Sequence, residues 1–148
     1  MVLVPFLYLV IKYAAYVGWC YFGLKRFRPG DEDRQSKAYL YGFYRLLIGF
    51  GFGTLVFLAV GMFGAEAGAS ATSGYLGYFG IYVPLRWIEW TIMSVIISPG
   101  SNSFLHWLSG LHRADRLWRL GGIAISCLAD VFLIAMMNWM PPVGRILC

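Results

Sequence analysis

Four long apolar stretches dominate the chain and alternate with shorter segments that carry most of the polar residues. Crossing a hydrocarbon core of about 30 Å takes about 20 mostly apolar residues in helical form. The stretches that meet this length lie at 2–24, 39–63, 75–97 and 120–140. The pattern predicts an all-α fold: a polytopic membrane protein whose single domain, 1–148, is a bundle of four transmembrane helices.

The connections between the predicted helices differ in charge. Segments 25–38 and 98–119 are basic, whereas 64–74 has Glu66 but no Lys or Arg. Because cytoplasmic loops carry an excess of Lys and Arg, we expect the two basic connections in the cytoplasm and both termini outside, in an inner or plasma membrane. No basic segment precedes the first apolar stretch, so we expect a retained helix rather than a cleaved signal peptide.

The connection 98–119 has a pattern of its own. Apolar side chains recur there at helical spacing and basic side chains follow them, which predicts a short amphipathic helix in the membrane interface. Its candidate head-group residues are Trp107, His112, Arg113 and Arg116. A structural anchor is one interpretation of this helix, and a site for an anionic lipid or a partner protein is the other.

Composition agrees with a membrane location. The chain is 59% hydrophobic and only 13% charged, against about 25% charged in a soluble domain. The net charge of +5 comes from basic residues at the predicted membrane boundaries, so nucleic acid is not an expected partner. The cysteines and the pair His106 and His112 lack metal-ligand spacing, and no histidine lies within a predicted transmembrane helix. We therefore expect neither a metal nor another cofactor.

Ionisable side chains inside the predicted helices are the most informative feature. They are Lys12, Arg45, Arg86, Glu89 and Asp130. A charge at the bilayer centre costs about 2.5–3.5 kcal/mol on insertion scales, so such residues normally face the bundle interior and have partners. Arg86 and Glu89 are three residues apart and can pair along their own helix. Asp130 would then pair with Lys12 or Arg45, and the surplus cation would meet a carbonyl, a water, a lipid phosphate or an anionic ligand.

Aromatic, small and polar side chains share helix faces with these charges. The residues that we expect to wall a polar site are Tyr16, Tyr82, Trp87, Trp90 and Ser126. The segment 86–90 allows two interpretations: a guanidinium that clamps a carboxylate or phosphate, or an ion pair that fixes the register of the bundle. Pro84 predicts a kink or a loosened turn one turn before Arg86.

These observations leave three hypotheses of function. The first is a non-catalytic subunit or assembly component of a membrane complex. The second is a small transporter or channel coupled to ions or protons, and the third is a membrane-embedded enzyme that acts on lipids. The sequence has no GxSxG, HExxH or phosphate-loop motif, which favours the non-enzymatic hypotheses. The expected partners are membrane lipids together with other membrane subunits or further copies of this chain.

Overall fold

Almost all of the residues that the structure describes are helical. The computed structural model describes residues 3–63, 71–98 and 113–137, and side chains within 6–55, 58, 83–98 and 113–130. The helices are α1 (Leu3–Phe27), α2 (Arg34–Phe63), α3 (Ala71–Ile97) and α4 (Arg113–Met137). The predicted all-α fold with four helices is confirmed over these ranges.

Three helices begin earlier than the apolar pattern indicates. We predicted starts at 39, 75 and 120, whereas α2 begins at Arg34, α3 at Ala71 and α4 at Arg113. Helical hydrogen bonding does not require apolar side chains, and Arg, Lys and Gln are good helix formers. Arg113 and Arg116 therefore belong to the first turns of α4. Trp107, His112 and most of the predicted interfacial helix lie outside the described residues.

One segment of α1 meets the criteria for crossing a membrane. Among the residues described, Phe6–Phe27 is the candidate span, with 22 residues and a mean hydropathy of 1.2. Length and composition of this kind are not specific to membrane proteins, because the core helix of a soluble domain can share them. The four transmembrane spans therefore stay predictions.

A short polar turn, 28–33, joins α1 to α2. Asp31 organises it: one carboxylate oxygen accepts the Asp33 amide at 3.2 Å, and the carboxylate accepts two bonds from Lys37 Nζ at 2.6 and 2.7 Å. The Asp31 carbonyl also accepts Arg34 Nε at 2.7 Å. The bond to Lys37 lowers the pKa of the Asp31 carboxyl below its ordinary value, and Arg28 adds a smaller effect of the same sign. Carboxylates before a helix start are favourable because they face its positive end.

The helices contact one another in ring order. α1 packs along α2, α2 against α3, α3 against α4 and α4 against α1, with a smaller contact between α1 and α3. Three contacts fix the register of α1 and α4 as antiparallel: Lys12 with Asp130, Tyr16 with Ser126, and Gly23 with Trp118. Each step toward the end of α1 is therefore a step toward the start of α4.

Glycines allow the close approach of these helices. A Cβ at Gly42 on α2 would lie 2.6 Å from Val17 Cγ2 and 3.0 Å from the Val17 amide nitrogen on α1. A Cβ at Gly122 on α4 would collide with the indole of Trp90 on α3. Small residues at helix contacts are typical of membrane bundles, where association depends on close packing.

Aromatic side chains fill the centre of the bundle. The ring of Trp90 meets Tyr16 edge to face at 5.8 Å between centroids, and meets Trp118 in the same way at 5.1 Å. Trp19 Nε1 donates to the Trp118 carbonyl at 3.0 Å, and Trp118 Nε1 donates to the Trp19 carbonyl at 3.3 Å. These reciprocal bonds satisfy both indoles and tie α1 to α4.

Candidate functional site: a buried polar interior

Each of the charged residues predicted to lie inside the helices is buried. Arg45 and Glu89 are 0% exposed, Lys12 and Arg86 are 1% exposed, and Asp130 is 5% exposed. Large apolar side chains cover much of the outer surface instead. Those on the outside include Phe6, Val10, Phe22, Leu40, Phe43, Leu47, Phe50, Leu55, Leu58, Leu117, Leu120 and Leu128. Along the apolar stretches, the described part of the bundle thus has these charges within and apolar side chains outside.

The first group of buried charges, the Asp130 cluster, consists of Tyr8, Lys12, Arg86 and Asp130. Asp130 Oδ1 accepts Tyr8 Oη at 2.5 Å and Lys12 Nζ at 3.0 Å, and Lys12 Nζ also donates to Tyr8 Oη at 2.6 Å. Asp130 Oδ2 accepts Arg86 Nη2, while Arg86 Nη1 lies 2.7 Å from Cys127 Sγ. Both carboxylate oxygens are bonded, and the cluster ties α1 and α3 to α4.

The second group is the Arg45–Glu89 pair, which joins α2 to α3. Arg45 Nη2 donates to Glu89 Oε2 at 2.5 Å. The guanidinium carbon lies 4.9 Å from the ring centroid of Tyr16 on α1 and 4.9 Å from that of Trp90 on α3. The cation therefore makes cation–π contacts with two aromatic rings. Such contacts stabilise a cation by about 2 kcal/mol or more when it is desolvated.

This pair is less completely bonded than the Asp130 cluster. Arg45 Nε, Arg45 Nη1 and Glu89 Oε1 are buried and have no hydrogen-bond partner among the residues that the structure describes. A buried polar atom without a partner costs about 1–3 kcal/mol. The guanidinium is a rigid fork whose Nε–H and Nη1–H groups point in different directions, so the single carboxylate of Glu89 cannot satisfy both.

The predicted pairing of Arg86 with Glu89 along α3 is wrong. Glu89 pairs with Arg45 of α2, and Arg86 pairs with Asp130 of α4. Of the two partners predicted for Asp130, Lys12 is the one found. The physical reason is the length of the arginine side chain, which reaches a carboxylate on a neighbouring helix, where the ion pair also holds the two helices together.

The residues expected to line the polar site lie in different parts of the bundle. Tyr16, Trp90 and Ser126 come together: Tyr16 Oη lies 3.1 Å from Ser126 Oγ, and Trp90 Nε1 donates to the same oxygen at 3.4 Å. Trp87 lies elsewhere, with the Arg119 guanidinium carbon 5.6 Å from its ring centroid. Tyr82 belongs to α3, and its side chain lies outside the described residues.

A third polar group, the Arg119 cluster, consists of Thr91, Ser94, Asp115 and Arg119, and sequence reasoning missed it. Arg119 is 0% exposed, pairs with Asp115 at 2.7 Å and donates to Thr91 Oγ1 at 2.6 Å. Ser94 Oγ donates to Asp115 Oδ1 at 2.5 Å. The apolar pattern assigned Arg119 to a loop because it precedes the predicted helix.

Signals for the missed residues were nevertheless present in the sequence. Arg119 stands on the same helical stripe as Ser126 and Asp130, and Asp115 precedes it by one turn. Tyr8 precedes Lys12 by one turn in the same way.

Pro84 stands inside α3, which continues through it to Ile97. No proline amide is available to donate at this position, so a carbonyl one turn earlier loses its helical partner. Arg86 follows within the next turn. The missing helical hydrogen bond thus lies just before the most densely charged part of α3.

The interior can hold charge and can fix helix positions. In the described part of the chain, no three His, Cys, Asp or Glu side chains meet as metal ligands. Comparison with protein-family models, with curated proteins and with solved structures finds no match to this chain. Any assignment of function therefore depends on the geometry itself.

Proposed function

We propose that the chain is a polytopic membrane protein whose four helices cross the bilayer. One observation carries this proposal: the bundle buries the charged residues within its apolar stretches and exposes large apolar side chains. In water such an arrangement loses both the hydration of ions and the burial of apolar surface. In lipid it places ions where they have partners and apolar groups against acyl chains.

The proposed orientation follows from the basic residues. Lys25 and Arg26 lie in the last turn of α1 and Arg28 follows it. Arg113 and Arg116 lie in the first turns of α4, at the same end of the bundle. Since basic segments stay in the cytoplasm, this end is cytoplasmic and both termini are extracytoplasmic.

Within the membrane, we propose that the protein acts as a non-catalytic subunit or assembly component of a larger complex. The extent of bonding in the interior supports this role, because Lys12, Arg45, Arg86, Glu89 and Asp130 each form an ion pair with another of these residues. Charges used in this way fix the register of a bundle. The outer helix faces then remain for contacts with lipid, with other subunits or with a second copy.

Native purification in a mild detergent tests this role. Tagged protein is captured from membranes, and the co-purifying polypeptides are identified by mass spectrometry. We expect defined membrane polypeptides, or further copies of the chain, in constant ratio to the bait. Gly42→Ala is the control variant, because a Cβ there would collide with α1 and disturb the packing of the bundle. Folded wild-type protein that elutes alone, or partners equally retained by the disturbed variant, would contradict the subunit role.

Proton- or ion-coupled passage is the second candidate, and the incompletely bonded Arg45–Glu89 pair supports it. Glu89 Oε1 and two nitrogens of Arg45 are buried without hydrogen-bond partners among described residues. Unsatisfied buried polar groups are uncommon in native structures and often belong to functional sites. A passing water, proton or ion would supply the missing partner.

A flux assay separates this candidate from the subunit role. Protein is reconstituted in vesicles that contain a pH-sensitive dye, and a pH step is applied. If the pair carries passage, Glu89→Gln abolishes the protein-dependent flux, whereas Glu32→Gln in the exposed turn preserves it. Size-exclusion and melting profiles confirm that the variants are folded. Wild-type protein inert to protons and common ions would reject passage.

A further inference from the structure

We infer that the Arg45–Glu89 pair is a binding site for water held inside the bundle, between α2 and α3. Buried polar atoms need partners in a bilayer and in water alike, so the site depends on neither of the proposed roles. Its ligand is small, neutral and resident, unlike a species that passes through the protein.

The pair has free hydrogen-bonding capacity on both of its residues. Arg45 and Glu89 are 0% exposed. Arg45 Nε, Arg45 Nη1 and Glu89 Oε1 are buried and have no hydrogen-bond partner within the described ranges. A bond of 2.5 Å from Arg45 Nη2 to Glu89 Oε2 holds the two residues together. The site therefore offers donors on one side chain and an acceptor on the other, at a fixed separation.

The charge of the pair favours a neutral ligand over an ion. Arg45 and Glu89 form a salt bridge, so their charges balance each other. An anion at the free guanidinium N–H groups would lie close to the Glu89 carboxylate, and a cation at Glu89 Oε1 would lie close to Arg45. Either ion would be a buried charge without a partner of its own, which is costly. Water is neutral, and it both donates and accepts hydrogen bonds.

Close packing around the pair favours a small ligand. The rings of Tyr16 and Trp90 lie with their centroids 4.9 Å from the guanidinium carbon of Arg45. Trp90 is held in turn against α4, where a Cβ at Gly122 would lie 2.4 Å from Trp90 Cε2. A ligand between these rings and the ion pair must therefore be small, as water is.

A pair of waters satisfies the free polar atoms. The Nε–H and Nη1–H groups leave a guanidinium in different directions, so one water cannot accept from both. One water donates to Glu89 Oε1 and accepts from one of these nitrogens, and a second water accepts from the other nitrogen. Buried waters typically make about three hydrogen bonds to groups that are otherwise unsatisfied. Helical carbonyl groups, which keep a second lone pair, supply the further acceptors.

X-ray hydroxyl-radical footprinting of the full chain in detergent tests the site. Radiolysis converts a bound water into a hydroxyl radical in place, and this radical oxidises aromatic rings that radicals from bulk solvent do not reach. We expect oxidation of Tyr16 and Trp90, which are 1% and 0% exposed. Trp118 is the internal control and should stay at background, because it is 3% exposed and its Nε1 is bonded to the Trp19 carbonyl.

A pair of double variants tests whether the ion pair holds the water. Arg45→Leu/Glu89→Leu removes the polar atoms and should reduce the oxidation of both rings to background. Asp31→Asn/Lys37→Gln is the matched control, because it also removes one ion pair, from the turn between α1 and α2. It should keep the wild-type oxidation. Size-exclusion and melting profiles establish which variants are folded.

The outcomes separate bound water from general solvent access and from passage. Rings that stay unoxidised in wild type would overturn the site, as would oxidation that persists in the folded leucine variant. Equal oxidation of Trp118 would mean that bulk solvent enters the bundle, which also overturns it. If the leucine variant does not fold, a wild-type crystal structure that shows ordered water decides: density within hydrogen-bond distance of Glu89 Oε1 supports the site, and its absence rejects it. Oxidised rings without proton or ion flux keep the site and reject passage alone.

Discussion

At the scale of single residues, the buried polar groups differ in how fully they are bonded. Both oxygens of Asp130 accept bonds, from Tyr8, Lys12 and Arg86. Among the described residues, Glu89 accepts a bond through one oxygen only. Hydrogen bonds to charged groups contribute about 1.5–3 kcal/mol each, so we expect the loss of Asp130 to cost more stability than the loss of Glu89.

Replacement of Asp130 tests this difference. Asp130→Asn keeps the shape of the side chain but removes the charge that holds Lys12 and Arg86. Loss of one partner from a buried pair costs on the order of 3–5 kcal/mol. We expect a clear fall in the melting temperature in detergent. Asp33→Asn, in the exposed turn, is the control and should melt close to wild type. Equal melting of the two variants would mean that Asp130 is solvated.

The turn between α1 and α2 gives a pH-dependent prediction. The pKa of Asp31 is lowered by its bond to Lys37, so the stabilising contact is present above the ordinary carboxyl pKa and is lost as pH falls through the lowered value. Because Asp31 is solvent-accessible, the effect on global stability is small. Carboxyl chemical shifts followed by NMR should show the pKa of Asp31 rising toward normal in Lys37→Gln. An unchanged titration would contradict the role of Lys37.

At the scale of helices, the length of the apolar stretches predicted which segments are helical but not where they begin. The prediction missed the polar first turns of α2 and α4 because it used hydrophobicity to place the helix starts. Helix formation does not depend on hydrophobicity. Arg119 shows the consequence. It was assigned to a basic connection, whereas α4 includes it and buries it against Thr91 and Asp115.

Glycine positions on α2 provide a matched test of helix packing. Gly42→Ala should lower the melting temperature, because its Cβ would lie 2.6 Å from Val17 Cγ2. Gly51 lies on the same helix and has no atom within 4 Å of an added Cβ, so Gly51→Ala should be neutral or stabilise by up to about 1 kcal/mol. Thermal melting in detergent compares them. Destabilisation by both substitutions would indicate a helix-propensity effect instead of a contact.

At the scale of the whole molecule, the burial of five charged residues could be predicted from the sequence, whereas the burial of Asp115 and Arg119 was missed. Not all of the ion pairs could be predicted either. We predicted burial from the cost of an ion in lipid, which depends on residue type and depth. Pairing depends on which helices are neighbours, and a single sequence does not specify that. Arg86 and Glu89 therefore looked like partners by spacing, although each binds a residue of another helix. The burial of these charges and the exposure of apolar side chains support the proposal that the bundle crosses a bilayer.

Accessibility of single cysteines from outside the cell tests that crossing most directly. In a background without Cys20, Cys127 and Cys148, one cysteine is placed at Ser36, near the start of α2, or at Ser70, between α2 and α3. An impermeant thiol reagent applied to intact cells should label position 70 and leave position 36 unlabelled, and permeabilisation should expose both. Labelling of 36 but not 70 would reverse the orientation, and equal labelling of both in intact cells would contradict a membrane-spanning α2.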